Sequence, residues 1–183
     1  MKKLLVITGD LAAGKSTFSQ MLSQRCQVSV FNKDSIKETL ADTMGFANAE
    51  ESVRLSRAAV ELMLLIFRSF AKLDRDLILE ANFHRPELER LYQLARERQY
   101  EVRVLALQGD IETLHKRYRN RMEHEDRHPA HLSNSFGELS GFRTYVEASR
   151  RETFGDDIVF VDATDFSYQR DPALLAALDA VLQ

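Results

Sequence analysis

The amino-terminal part of the chain contains a Gly-x-x-x-x-Gly-Lys-Ser motif between an apolar run and an amphipathic stretch. Glycines allow a backbone whose successive N–H groups turn toward phosphate oxygens, and the helix that follows adds its positive end. In this pattern Lys15 is expected to reach the β- and γ-phosphates of ATP, and the Ser16 hydroxyl to bind Mg²⁺. The predicted phosphate-binding residues are Gly9, Asp10, Leu11, Ala12, Ala13, Gly14, Lys15, Ser16 and Thr17.

A carboxylate follows the second apolar run, in the sequence Asn32-Lys33-Asp34-Ser35. The carboxyl ends of parallel strands meet at the ligand crevice of a sheet, so Asp34 is expected near the γ-phosphate. There a carboxylate can accept the proton of an attacking hydroxyl group. The alternative is that Asp34 caps the helix predicted from Ser35 onward, and one residue can have both roles.

A second acid, Glu80, ends the third apolar run and is followed by Asn82. A carboxylate at this place is expected to hold Mg²⁺, most simply through a water molecule. The alternative is a buried acid that accepts hydrogen bonds from neighbouring N–H groups. Elsewhere in the chain, the best match to an apolar run followed by an aspartate is Val159-Phe160-Val161-Asp162. It belongs to the last strand, which is expected to lie away from the phosphates.

A basic segment begins at His115 and includes Arg117 and Arg121, which are four residues apart and therefore on one helical face. Arginine remains charged and its planar guanidinium matches phosphate oxygens, so both are candidates for nucleotide binding. Arg127 follows in an irregular stretch and is a candidate for contact with the transferring phosphoryl group. The alternative is a solvated charged helix. The histidines of this segment are not expected to bind zinc, because Pro129 interrupts it and no cysteine is near.

Apolar runs and amphipathic stretches alternate along the whole chain, which predicts an α/β fold with a five-stranded parallel sheet covered by helices on both faces. We expect a single domain, residues 1–183. The segment 123–140 breaks the alternation and is predicted to be a lid or a surface loop. Strands are predicted at 3–8, 27–31, 77–83, 101–107 and 157–161, and helices at 15–24, 35–44, 50–73, 86–98, 110–123 and 172–182.

Composition limits the classes of function. The chain has 183 residues, of which 44% are hydrophobic, enough for a full core, and its net charge of −3 gives no general attraction to nucleic acid or anionic lipid. Cys26 is the only cysteine, so no internal disulfide can form. The apolar runs are too short for a secretory signal or a membrane span. We expect a cytoplasmic protein without a membrane partner.

These motifs together resemble those of the predicted P-loop kinases of the AAA_33 type. That group is similar to the zeta toxins, the chloramphenicol phosphotransferases and the kinase domain of polynucleotide kinase. The resemblance implies that Asp34 activates the acceptor hydroxyl and that Arg117, Arg121 and Arg127 are lid arginines. The chain departs from the pattern at Glu80, where aspartate is more usual. A second departure is Ala130, which replaces the glycine of an Arg-His-Pro-Gly-His signature.

The leading functional hypothesis is therefore an ATP- and Mg²⁺-dependent kinase that phosphorylates a hydroxyl group of a small molecule. Candidate contacts to that acceptor are Asn82, His84, Arg85 and Arg54, with Arg57 nearby. Two alternatives remain open. A 5′-hydroxyl polynucleotide kinase would need a basic channel, against which the net charge of −3 weighs. A nucleotide-dependent switch would need no acceptor, but it would leave the lid arginines without a purpose.

Overall fold

Five parallel strands form the centre of the structure, a computed structural model that describes residues 2–124, 127–131, 136–153, 155 and 157–182. Their order in the sheet is β2-β3-β1-β4-β5. The predicted α/β fold with a five-stranded parallel sheet is confirmed. The strands are β1 (Lys2–Gly9), β2 (Ser29–Asn32), β3 (Leu77–Glu80), β4 (Tyr100–Gln108) and β5 (Ile158–Asp162).

Helices connect the strands and cover both faces of the sheet. Short 3-10 helices span Pro129–His131 and Ser167–Arg170. In the described part of the chain the α-helices are α1 (Lys15–Cys26), α2 (Lys33–Met44), α3 (Ala49–Ala71), α4 (Arg85–Glu97), α5 (Ile111–His124), α6 (Leu139–Glu152) and α7 (Pro172–Leu182).

The central strand β1 divides the hydrophobic core into two layers, because its successive side chains point to opposite faces of the sheet. Leu5 and Ile7 belong to the layer that packs on α1, α5, α6 and α7. Leu4 and Val6 belong to the layer that packs on α3 and α4. All four side chains are fully buried, as expected for a parallel strand covered on both faces. The loop that leaves β1 therefore starts from a rigid support.

The start of α2 differs from the prediction that Asp34 caps this helix. The helix begins at Lys33, and the cap is Asn32, whose Oδ1 accepts a hydrogen bond from the backbone N–H of Ser35 at 2.8 Å. Both residues are good helix caps, and the end of β2 decides between them because Asn32 is its last residue. Asp34 lies in the first turn of the helix, with its carboxylate exposed.

The segment 123–140, predicted to be a lid or a surface loop, is helical at both ends. Helix α5 continues to His124, and α6, a helix that was not predicted, begins at Leu139. Residues 125–126 and 132–135 of this segment lie outside the described residues. No helix in the described part of the chain is long and apolar enough to span a membrane.

Candidate active site

The predicted phosphate-binding loop connects β1 to α1 and fits closely against its neighbours. Gly9 has a φ of +121°, and a Cβ there would lie 2.1 Å from the carbonyl oxygen of Leu107, so only glycine fits. Gly14 has a φ of +83°, and its Cβ would lie 2.9 Å from the ring of Phe166. Among the described residues no side chain caps the start of α1. The N–H groups of its first turn therefore remain available to a bound anion.

The side chain of Lys15 lies back against this loop. Its Nζ donates hydrogen bonds to the carbonyl oxygens of Gly9 at 3.1 Å and Asp10 at 2.6 Å. Burial lowers the pKa of Lys15, and the nearby carboxylates of Glu80 and Asp34 act in the opposite direction. Phosphate oxygens at this place would stabilise the ammonium form, so the lysine is positioned to exchange carbonyl partners for a nucleotide.

A hydroxyl group and a carboxylate meet at the start of α1, where Mg²⁺ was predicted. The Ser16 Oγ donates a hydrogen bond to Glu80 Oε2 at 3.1 Å, and Asn32 Nδ2 donates to the same oxygen. Glu80 is 3% exposed. The described residues contain no cluster of three or more His, Cys, Asp or Glu side chains placed to hold a metal. The pair fits Mg²⁺, which binds few protein oxygens and completes its shell with water and phosphate oxygens.

Burial raises the pKa of Glu80 above its ordinary value of 4.5, and the charge of Lys15 opposes this rise. If Mg²⁺ binds here, protonation would remove the negative charge that would attract the ion, and the apparent Mg²⁺ affinity should fall as the pH decreases toward that raised pKa. Glu80→Gln should weaken the apparent Mg²⁺ affinity by about 10- to 100-fold and abolish this pH dependence. Mg²⁺ titrations of ATP turnover at several pH values test both effects. An unchanged Mg²⁺ affinity in the folded variant would assign Glu80 a structural role.

Three adjoining cavities meet at Asp34, one of which measures about 450 Å³ and lies between α1 and α2. We call another the nucleotide cleft; it measures about 480 Å³ and is lined by 11–17, by α5 and by Phe166. We call the third the distal cavity; it measures about 390 Å³ and is lined by residues of α2, α3, α4, α5 and α6, of the turn after β3 and of 127–131. The residues that line both the nucleotide cleft and the distal cavity are Leu11, Lys33, Asp34, Asn82 and Arg127.

The two predicted arginines of α5 both line the nucleotide cleft. The guanidinium of Arg117 donates to the carbonyl oxygens of Ala163, at 2.8 Å, and Thr164, and its carbon lies 4.1 Å from the centre of the Phe166 ring. Arg117 is therefore held by the backbone after β5, and together with Phe166 it presents flat surfaces to the cleft. Phe166 was not among the predicted site residues, although an aromatic side chain shortly after the end of a strand can indicate a ligand contact.

Arg127 lines both cavities, and the residues that follow it are docked on α2 and α3. The carbonyl oxygen of Ala130 accepts hydrogen bonds from Lys37 Nζ at 2.7 Å and Ser52 Oγ at 2.9 Å. The guanidinium of Arg127 donates to Met122 Sδ at 3.2 Å, a weak acceptor that a phosphate oxygen would readily replace. The segment 127–131 thus holds an arginine at the boundary between the cavities.

The predicted acceptor contacts divide into two groups. Asn82 and His84 line the distal cavity, and so does Arg57. Arg54 instead forms an ion pair with Glu50 at 2.8 Å, and Arg85 lies 4.0 Å from Glu89. Neither Arg54 nor Arg85 lines the two cavities.

Helix α6 contributes two site residues that were not predicted, Arg150 and Tyr145. Arg150 donates a hydrogen bond at 2.6 Å to Asp10, which is 1% exposed and also accepts one from the backbone N–H of Gly109 at 3.0 Å. The pair raises the pKa of Arg150 and fastens α6 to the phosphate-binding loop. Tyr145 lines the distal cavity, where burial raises the pKa of its hydroxyl while a hydrogen bond with Asn82 opposes the rise.

Comparison with known proteins places the site in a family context. The AAA_33 family model, described as an AAA domain, matches residues 4–136. A Chloroflexus aurantiacus J-10-fl protein assigned as a kinase is similar over 100% of this chain and 99% of its own, with 24% identity and a TM-score of 0.83. A gluconokinase from Sinorhizobium meliloti 1021 is similar over 98% and 93%, with 15% identity and a TM-score of 0.61. Kti12 from Chaetomium thermophilum, in complex with ADP-AlF3, is similar over 98% and 99%, with 16% identity and a TM-score of 0.63. Among curated protein sequences, none matches the chain.

Proposed function

This chain belongs to the AAA_33 family, and we propose that it is an ATP-dependent kinase that phosphorylates a hydroxyl group of a small molecule. The observation that carries the proposal is the position of Asp34. Its carboxylate lies in the wall shared by the nucleotide cleft and the distal cavity. A base at this boundary can take a proton from an acceptor on one side while the γ-phosphate lies on the other.

In the proposed reaction the acceptor oxygen attacks the γ-phosphorus atom, its proton passes to Asp34, and the bond to the β-phosphate oxygen breaks to release ADP. Lys15 and the N–H groups at the start of α1 hold the phosphates. Arg127 at the boundary stabilises the charge of the transferring group. Mg²⁺, held by Ser16 and, directly or through water, by Glu80, would neutralise phosphate charge.

The size of the distal cavity supports a small acceptor, because 390 Å³ lies near the lower end of the range for small-molecule sites. Among proteins of similar fold, those named gluconokinase and shikimate kinase are kinases named for small molecules. The two alternatives left open by the sequence, a polynucleotide kinase and a switch without an acceptor, make different predictions for ATP turnover.

The experiment that tests the proposal measures ADP release with sugars, hydroxy acids, nucleosides, amino alcohols, antibiotics and a 5′-hydroxyl oligonucleotide as acceptors. A kinase of small molecules releases ADP only with particular compounds, and phosphorus NMR then identifies a phosphate ester. Stimulation by the oligonucleotide alone supports the first alternative. A slow rate that is the same with every addition and with none supports a switch and overturns the proposal.

Arg127→Ala is expected to lower kcat by about 10²-fold while the KM for ATP changes little. The physical reason is that its contact strengthens as charge moves during transfer, and such a contact lowers kcat when it is removed. Steady-state kinetics with the identified acceptor provide the measurement. The matched control is Arg119→Ala on α5, which removes an exposed arginine paired with Glu123 outside both cavities. A variant with raised KM for ATP and normal kcat would make Arg127 a ground-state contact instead.

A further inference from the structure

The walls of the distal cavity carry more positive than negative side chains. Its cations are Lys33, Lys37, Arg57 and Arg127, and its carboxylates are Asp34 and Glu87. One of these carboxylates is the proposed base. The other, Glu87, accepts a hydrogen bond from the backbone N–H of His84 at 2.8 Å, as part of the cap of α4. The cavity therefore favours a molecule with negative charge.

Only one of these cations is free to bind an acceptor. Lys33 and Arg127 also line the nucleotide cleft, where the phosphates would occupy them. Lys37 is 6% exposed, and its Nζ is held by the carbonyl oxygen of Ala130. Arg57 has no hydrogen-bond or ion-pair partner within the described part of the chain. A single free guanidinium can neutralise one negative charge, so the cavity favours a ligand that carries one such charge.

The surroundings of Arg57 explain why its guanidinium has no partner among the residues that the structure describes. The carboxylate one helical turn further along α3 is Glu61, which would ordinarily pair with Arg57. Glu61 instead forms two hydrogen bonds with Arg90, at 2.5 and 2.8 Å. The planar guanidinium of Arg57 thus remains available at the cavity wall, and it matches a carboxylate through two parallel hydrogen bonds.

The uncharged polar groups of the distal cavity can form hydrogen bonds with hydroxyl groups of a ligand. Asn82 lines both cavities, and its buried Oδ1 has no hydrogen-bond partner among the described residues. A hydroxyl group of a ligand can donate the hydrogen bond that this oxygen lacks. Tyr145 and Ser56 add further hydroxyl groups to the wall.

We propose that the acceptor is a small hydroxy acid whose carboxylate binds Arg57 while one of its hydroxyl groups faces Asp34. This inference rests on the proposed kinase function and names the substrate class. A sugar phosphate is the competing anion, but its second negative charge would find no free cation among the described residues of the distal cavity.

The test uses a panel of hydroxy acids that includes gluconate, glycerate and shikimate, each beside the neutral amide of the same skeleton, together with sugar phosphates. ADP release and phosphorus NMR report the transfer. We expect phosphorylation of at least one hydroxy acid, with a kcat/KM about 10- to 100-fold above that of its amide. Arg57→Gln should raise the KM for the acid by a similar factor, abolish the preference over the amide and leave the KM for ATP unchanged.

Arg68→Gln is the matched control, because Arg68 is an exposed arginine of the same helix outside both cavities. A kinase that phosphorylates amides or sugar phosphates as well as acids overturns this inference and leaves the proposed function intact. An unchanged KM for the acid in Arg57→Gln also overturns it. An absence of acceptor-dependent ADP release with every compound overturns the proposed function, and this inference with it.

Discussion

Lys15→Ala is expected to lower kcat/KM for ATP by about 10³-fold or more. The ammonium group is the only side-chain cation of the phosphate-binding loop, 9–17. Its removal leaves the charge of the β- and γ-phosphates without that counterion. Nucleotide titration and ATP turnover measure the loss.

The fold should survive this change. Among the described residues, Lys15 donates to two backbone carbonyl oxygens at an open cleft, where water can replace it. Thermal unfolding followed by circular dichroism checks this, with Lys72→Ala as a control at an exposed position outside both cavities. A folded Lys15→Ala protein with normal ATP turnover would remove the basis of the kinase proposal.

Asp34→Asn is expected to lower the rate of phosphoryl transfer by about 10²–10⁴-fold, the range for a lost general base. The KM for ATP should stay within a few-fold, because the amide has nearly the same size and does not take part in the phosphate-binding loop. Single-turnover experiments with the acceptor separate the transfer step from product release.

The stability of this variant distinguishes catalysis from helix capping. Asn32 caps α2, so Asp34→Asn leaves the cap in place and should hardly change the unfolding temperature. A loss of a true cap would cost about 0.5–2 kcal/mol. A variant that unfolds at lower temperature but retains its transfer rate would assign Asp34 a structural role only.

The parts of the site that could be predicted from the sequence are those encoded by neighbouring residues. The loop from Gly9 to Ser16 needs only a strand before it and a helix after it, and both are visible as apolar patterns. The place of Asp34 beside the nucleotide cleft follows from the rule that ligands bind at strand ends. The choice of Asn32 as the cap did not follow, because two suitable residues stand close together and only the end of β2 distinguishes them.

The parts that could not be predicted depend on contacts between distant residues. Arg150 meets Asp10 across 140 positions, and nothing near either residue indicates the pair. Helix α6 itself had a detectable signal, because Phe142, Tyr145 and Val146 have helical spacing. The polar stretch before it and Gly141 concealed that pattern. Long-range pairs of this kind decide which side chains line a cavity, so the distal cavity could not be derived from motifs.

The position of β1 in the middle of the sheet also affects how the protein is made. Leu4 pairs with Leu77 on one side and with Val102 on the other, so both partner strands of β1 are synthesised after it. At about 5–20 residues per second, a ribosome needs roughly 5–20 s to reach β4 after β1. During that time this buried apolar strand has unpaired edges, which are sites of aggregation. Because Gly9 of the phosphate-binding loop packs against Leu107, we expect the loop to reach its final shape, and to bind a nucleotide, only late in translation.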